Sequence, residues 1–273
     1  MRMNISMLIM LSIAMCTYAH THGEVVEYTA DDVVLKGYLA YNDQVKGKRP
    51  GVLVVHEWWG HNEYVRSRAR MLAELGYTAL AVDMYGDGKL ADHPDDAGKF
   101  ARAVMENMEV AKARFTAGMD LLKKHPTVDS EHIAAIGYCF GGGIVLHMAR
   151  LGIDRLDGVV SFHGSLSTQT PAERGAVKAK ILVCHGAVDP FITPEQVDAF
   201  KKEMQNAEVD LKFIVYPEAS HSFTNPAADK HGGPLRYNAA ADKHGGPLRY
   251  NAAADKQSWA DMQDFFKALF TVQ

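Results

Sequence analysis

Ile133-Ala134-Ala135-Ile136-Gly137-Tyr138-Cys139-Phe140-Gly141-Gly142-Gly143-Ile144-Val145-Leu146-His147-Met148-Ala149 is the stretch from which the fold can be read. An apolar run, a glycine-flanked cysteine and a second apolar run predict a strand, a sharp turn and a helix, with the thiol on the turn. A side chain at Gly137 or Gly141 would crowd such a turn. The helix N-terminus behind Cys139 brings free N–H groups and a positive partial charge, both of which favour a thiolate and an oxyanion. The same residues also suit a buried structural cysteine, so the segment does not decide alone.

Two other segments extend the pattern. Asp189 follows the apolar run Ile181-Leu182-Val183-Cys184, and His221 follows Phe213-Ile214-Val215-Tyr216. A nucleophile, an acid and a histidine, in that chain order and each just past a strand, are the parts of a catalytic triad on an α/β sheet. Cys184 sits inside its apolar run and reads as a small core residue rather than a partner for Cys139.

Working outward, residues 24–30 and 33–41 alternate polar and apolar around Asp31-Asp32, which predicts an antiparallel hairpin. Gly51-Val52-Leu53-Val54-Val55-His56 and Ala79-Leu80-Ala81-Val82 are continuous apolar runs, as in strands covered on both faces. Val159-Val160-Ser161-Phe162 is a further strand. Helices are expected from Tyr64 to Leu75, with Gly76 as stop signal, as one long pattern from about Ala97 to Lys124, from Thr193-Pro194-Glu195 onward, and from about Asp255 to Phe270. Strands alternating with helices imply an α/β fold with a mostly parallel sheet covered on both faces.

The 273 residues fit one large α/β domain, over 20–273. A formal charge of −4 leaves no basic footprint and argues against nucleic acid. Arg2, the apolar stretch Met7 to Met15 and the small residues Thr17 and Ala19 read as a secretory signal over 1–19. The expectation is a periplasmic or secreted protein. The apolar run is too short to span a bilayer, so no stable membrane insertion of the mature protein is expected. Residues 228–240 recur without change at 241–253. Two thirteen-residue copies do not make a solenoid, and a tandem duplication in a loop before the last helix costs little.

His56-Glu57-Trp58-Trp59-Gly60, Ala81-Val82-Asp83-Met84-Tyr85-Gly86, Gly137-Tyr138-Cys139-Phe140-Gly141-Gly142, His185-Gly186-Ala187-Val188-Asp189 and His221-Ser222-Phe223 together resemble the dienelactone hydrolase family, over roughly residues 25 to 269. The resemblance implies an α/β-hydrolase fold and a Cys-His-Asp triad of Cys139, His221 and Asp189. It implies a glutamate near the thiol, here Glu57, and an oxyanion hole made by the backbone N–H groups of Trp58 and Phe140. Hydrolysis of a small ester or lactone is expected, by a monomer, with no cofactor and no metal.

The chemistry fits the residue types. His221 can take the thiol proton while Asp189 fixes the imidazole tautomer, and the tetrahedral oxyanion needs two N–H donors. Glu57 reads either as a gate that protects Cys139 until substrate arrives, or as a strand-end carboxylate capping nearby N–H groups. Trp59, His163 and Phe223 are expected to line the substrate pocket, with Trp58 beside them. One departure stands out: the family binds a carboxylated lactone through arginines, one just after the catalytic histidine. Here Ser222, Phe223, Thr224 and Asn225 follow His221. The reaction class carries over and the family's substrate does not. A broad carboxylesterase, or a non-catalytic binding protein on the same fold, are the alternatives.

Overall fold

Every strand predicted from an apolar run forms, and their carboxyl ends gather on one edge of a single sheet. The computed structural model describes residues 21–231 and 248–271. The signal segment over 1–19 and most of the duplication, 232–247, lie outside the described residues. β1 (Thr21–Ala30) and β2 (Val33–Asn42) form the hairpin, turning where Asp31 takes a left-handed φ of 50°. β3 (Arg49–Val55), β4 (Thr78–Val82), β5 (Val128–Tyr138), β6 (Gly158–Phe162), β7 (Lys180–Gly186) and β8 (Leu211–Tyr216) complete an eight-stranded sheet of order β1-β2-β4-β3-β5-β6-β7-β8. β1 and β2 pair antiparallel, as do β2 and β4, and every other pair is parallel.

The helices are α1 (Glu63–Glu74), α2 (Pro94–Met105), α3 (Met108–Lys124), α4 (Phe140–Arg150), α5 (Pro194–Asn206), the short α6 (Ala228–His231) and α7 (Ala252–Thr271). They cover both faces. Leu53 and Val55 of β3 point into a cluster with Phe115 and Ile144, while Val52 and Val54 join Leu72, Ile136 and Phe266 on the other side. That alternation explains why β3 is apolar throughout: each face of the strand is buried.

The pattern read as one helix from Ala97 to Lys124 is two. Asn107 interrupts it, its side chain accepting the Val110 N–H at 3.3 Å as the N-cap of α3. Asparagine competes well for that position, and apolar periodicity does not register the break. Thr193 and Gln196 close a reciprocal capping box at the start of α5.

Register places the site. Val55 pairs with Gly137, Tyr138 with Phe162, and Phe162 with Cys184. The residues just beyond β3, β5, β6, β7 and β8 therefore meet at the carboxyl edge, the usual ligand side of such a sheet.

Candidate active site

Cys139 occupies the turn between β5 and α4 with φ 52° and ψ −114°. A non-glycine residue in that conformation costs about 1–3 kcal/mol and must be held there by its surroundings. Its backbone N–H does this, donating both to the Phe162 carbonyl at 3.0 Å and to His163 Nδ1 at 3.1 Å. The glycines flanking it have a steric cause. A Cβ on Gly137 would lie 2.1 Å from the Gly141 carbonyl oxygen, and one on Gly141 would lie 2.3 Å from the Val55 carbonyl oxygen. The elbow is thus pressed between its own helix and the end of β3.

His221 and Asp189, predicted from their loops, converge on this thiol. His221 Nε2 is 3.0 Å from Cys139 Sγ, and Nδ1 is 2.8 Å from Asp189 Oδ2. The other Asp189 oxygen accepts the Phe191 N–H at 2.9 Å, which fixes the carboxylate. Burial by itself would push the His221 imidazole down. The Cys139 sulfur and the Asp189 carboxylate outweigh that and hold it well above the usual histidine range. A protonated imidazole beside the sulfur is the partner a reactive thiolate needs. Cys184 is the opposite case. It is fully buried beside the Tyr216 hydroxyl, and burial pushes its thiol up to about 12.

The loop after β3 lies against the elbow. His56 is buried with Nδ1–H donating to the Glu57 carbonyl at 2.6 Å and Nε2 accepting the Met84 N–H at 3.2 Å. Burial pushes it down to about 4, so it is neutral at ordinary pH. Its ring packs against Phe140 and Tyr85, and the Tyr85 hydroxyl donates to the Trp58 carbonyl at 3.0 Å. The two residues expected to form the oxyanion hole, Trp58 and Phe140, are in this way both braced around one histidine. Phe140 opens α4, so its N–H has no carbonyl one turn earlier in the helix.

Glu57 is placed differently from the gate expectation. Its carboxylate accepts from Ser222 Oγ at 3.0 Å and from Asn225 Nδ2 at 2.6 Å, and no hydrogen bond joins it to the Cys139 sulfur. It ties the end of β3 to the His221 loop. Burial pushes its carboxyl up, against the pull of the Asn225 and Ser222 bonds.

Three residues expected on the pocket wall are elsewhere. Trp59 is 4% exposed and packs with Ala91 and Ala97, because consecutive side chains diverge and Trp58 takes the pocket side. Phe223 is buried on the α1 and α7 face of the sheet. His163 lies behind the elbow. Because its Nδ1 accepts from Cys139, its Nε2 carries the proton and donates to Thr224 Oγ1 at 2.7 Å, and Thr224 is 2.6 Å from the Tyr64 hydroxyl. Burial, with the nearby His221 and Arg68 charges, keeps His163 neutral. Sequence reasoning missed Ser222, Thr224 and Asn225 as the anchors of the His221 loop; their polar side chains beside the histidine were the available signal. Among the described residues no group of His, Cys, Asp and Glu side chains is arranged to hold a metal ion, and no helix is long and apolar enough to cross a membrane.

Known proteins resemble this chain over most of its length. Residues 35–270 match the model of the dienelactone hydrolase family. The chain is 32% identical over 218 residues to Protein usf of Aquifex pyrophilus, covering 78% of this chain and 92% of that one. Among solved structures it resembles m3DLH, at 37% identity and a TM-score of 0.84, with 92% of this chain and 99% of that one covered. It also resembles P91, a dienelactone hydrolase-like promiscuous phosphotriesterase from metagenomic libraries, at 34% identity and a TM-score of 0.83, with the same coverage.

Proposed function

Since the chain belongs to the dienelactone hydrolase family, and is thereby a carboxylic ester hydrolase of α/β-hydrolase fold, we propose that Cys139, His221 and Asp189 cleave small esters or lactones through a cysteinyl acyl-enzyme. The observation that carries this reading is the line of three groups, Sγ to Nε2 at 3.0 Å and Nδ1 to carboxylate at 2.8 Å, on three loops held by one sheet edge.

In this reading the Cys139 thiolate attacks the ester carbonyl. An S–C bond forms, and the carbonyl electron pair moves onto oxygen, where the N–H groups of Trp58 and Phe140 receive it. The carbonyl re-forms as the C–O bond breaks, and His221 gives its proton to the leaving alkoxide. A water then loses a proton to His221 and attacks the thioester. The acid departs, and the sulfur leaves as thiolate beside the reprotonated imidazole. Asp189 keeps Nδ1 protonated throughout and offsets the charge on the ring. Glu57 acts on this machinery by holding the His221 loop.

An ester and lactone panel run on the wild type and on Cys139→Ala tests the reading. Turnover lost in the variant supports it; equal turnover in the two sinks it. The ratio of lactone to acyclic ester rates separates a lactonase from a broad carboxylesterase, and the absence of turnover with every activated ester would favour a binding protein. We also propose export with removal of residues 1–19. N-terminal sequencing of mature material should begin near His20, and an intact Met1 in exported protein would overturn it.

A further inference from the structure

We propose that this site selects esters or lactones with an apolar, uncharged acyl part and rejects those that carry a carboxylate there. The inference rests on the reading of Cys139 as the nucleophile and goes beyond it to substrate class.

The Cys139 sulfur and His221 open into a cavity of about 390 Å³. Its walls include Trp58 from the loop after β3, Ala101 and Met105 one turn apart on α2, Phe140 at the start of α4, Phe191 beyond Asp189, and Leu248, with Ser165 the one uncharged polar side chain among them besides the Cys139–His221 pair. Leu248 is placed by a parallel bridge to His221 itself. No described lining residue is lysine, arginine or an acid. Two arginines adjoin lining residues in the chain: Arg249, beside Leu248, donates to the Glu218 carbonyl at 3.0 Å, and Arg102, beside Ala101, is exposed on α2 and is not part of the lining. The apolar character continues to the mouth, where Phe191 is 47% and Met105 38% exposed.

A ligand carboxylate in this cavity would lose its water and find no cation except the His221 imidazolium, which is already shared between the Cys139 sulfur and the Asp189 carboxylate, so its desolvation is poorly compensated. The charge on the attacking sulfur would add repulsion. An alkyl acyl chain would meet aromatic and aliphatic surface along its length. Each added methylene that becomes buried improves kcat/KM about fourfold, from the transfer free energy of a CH₂ group.

The test compares three para-nitrophenyl esters of similar length on the full chain: the pentanoate, the hemisuccinate, and the methyl diester of succinate, in which the charge is masked. Enzyme-free release, which in the hemisuccinate includes attack of its own carboxylate to give succinic anhydride and para-nitrophenolate, is subtracted, and the remaining rates are divided by those of hydroxide hydrolysis to remove intrinsic reactivity. The pentanoate should exceed the hemisuccinate in kcat/KM by about 100-fold or more, on the scale expected for an unpaired buried charge, and the methyl diester should recover most of the difference. Met105→Arg, at a half-exposed position able to take the longer side chain, should narrow the preference at least about tenfold. A hemisuccinate rate within about threefold of the pentanoate, or a preference unmoved by Met105→Arg, overturns the proposal while Cys139→Ala still abolishes turnover. If Cys139→Ala hydrolyses all three as the wild type does, the nucleophile reading fails and this inference falls with it.

Discussion

Thr224→Val should destabilise the protein by about 2–4 kcal/mol without creating a cavity. Thr224 is fully buried, and valine fills its volume. What valine removes is one oxygen that serves two partners, His163 Nε2–H at 2.7 Å and the Tyr64 hydroxyl at 2.6 Å. A buried polar group left unpaired costs about 1–3 kcal/mol, and the Tyr64 hydroxyl, whose proton can rotate, contributes toward the low end. His163 has no escape by changing tautomer. A proton moved to Nδ1 would face the Cys139 N–H, which already donates to that atom at 3.1 Å. The assay is urea unfolding, read as a midpoint shift at unchanged slope. A double-mutant cycle with His163→Phe identifies the cause, since phenylalanine removes the orphaned donor. The double variant should be more stable than the sum of the single effects predicts, by about 1 kcal/mol or more. A Thr224→Val cost below about 0.5 kcal/mol, or strict additivity, would refute the reasoning.

Other outcomes follow from the same geometry. Gly141→Ala should abolish soluble activity, because its Cβ would sit 2.3 Å from the Val55 carbonyl oxygen; Gly143→Ala, whose nearest neighbour would be 3.5 Å away, should fold normally. Full activity in Gly141→Ala would contradict the packing argument. Iodoacetamide should modify Cys139 well before the buried Cys184, as read by peptide mass mapping, and equal labelling would count against an activated thiol. Stability should fall on acidification below about pH 6.5. The unfolded chain then takes up protons that His56, held down to about 4, refuses in the fold. From pH 6.5 to 5 that group alone removes about 1–2 kcal/mol; His61 and His163 act in the same direction. The raised His221 is protonated in both states below its unfolded value and leaves this window unchanged. Glu57, raised by burial, stabilises the fold as pH falls toward its unfolded value and so opposes the trend. The loss should therefore be steeper in Glu57→Gln, in which the Ser222 hydroxyl can turn to accept from the new amide. Urea midpoints at pH 7 and 5 decide it, and a rising midpoint in that variant would contradict the assignment.

How far the residues foretold all this depends on distance along the chain. Cys139, Asp189 and His221 were legible because each follows an apolar strand, and parallel register brings strand ends together without further information. The supports of those groups were not. Glu57 meets Ser222 and Asn225, and His163 meets Thr224, across separations that local pattern does not encode. Trp59 and Phe223 show the converse: position near a site motif says nothing of which face a side chain takes. The pocket wall from Ala101 and Met105 was hidden because the break at Asn107 was invisible to periodicity.

The chain leaving the duplicated segment is stitched to the histidine loop: Arg249 N–H donates to the His221 carbonyl at 3.1 Å and Asn251 N–H to the Phe223 carbonyl at 3.0 Å. These residues belong to the second copy, yet Leu235-Arg236-Tyr237-Asn238-Ala239-Ala240 of the first is identical to Leu248 through Ala253. Excising 241–253 leaves the same six residues running into Ala254 and Asp255. The residue types that make these bonds, and the leucine that joins the wall, are thus present in either copy. The seam beside His221 is therefore spelled twice in the chain, and the gain or loss of one unit would leave its wording as before.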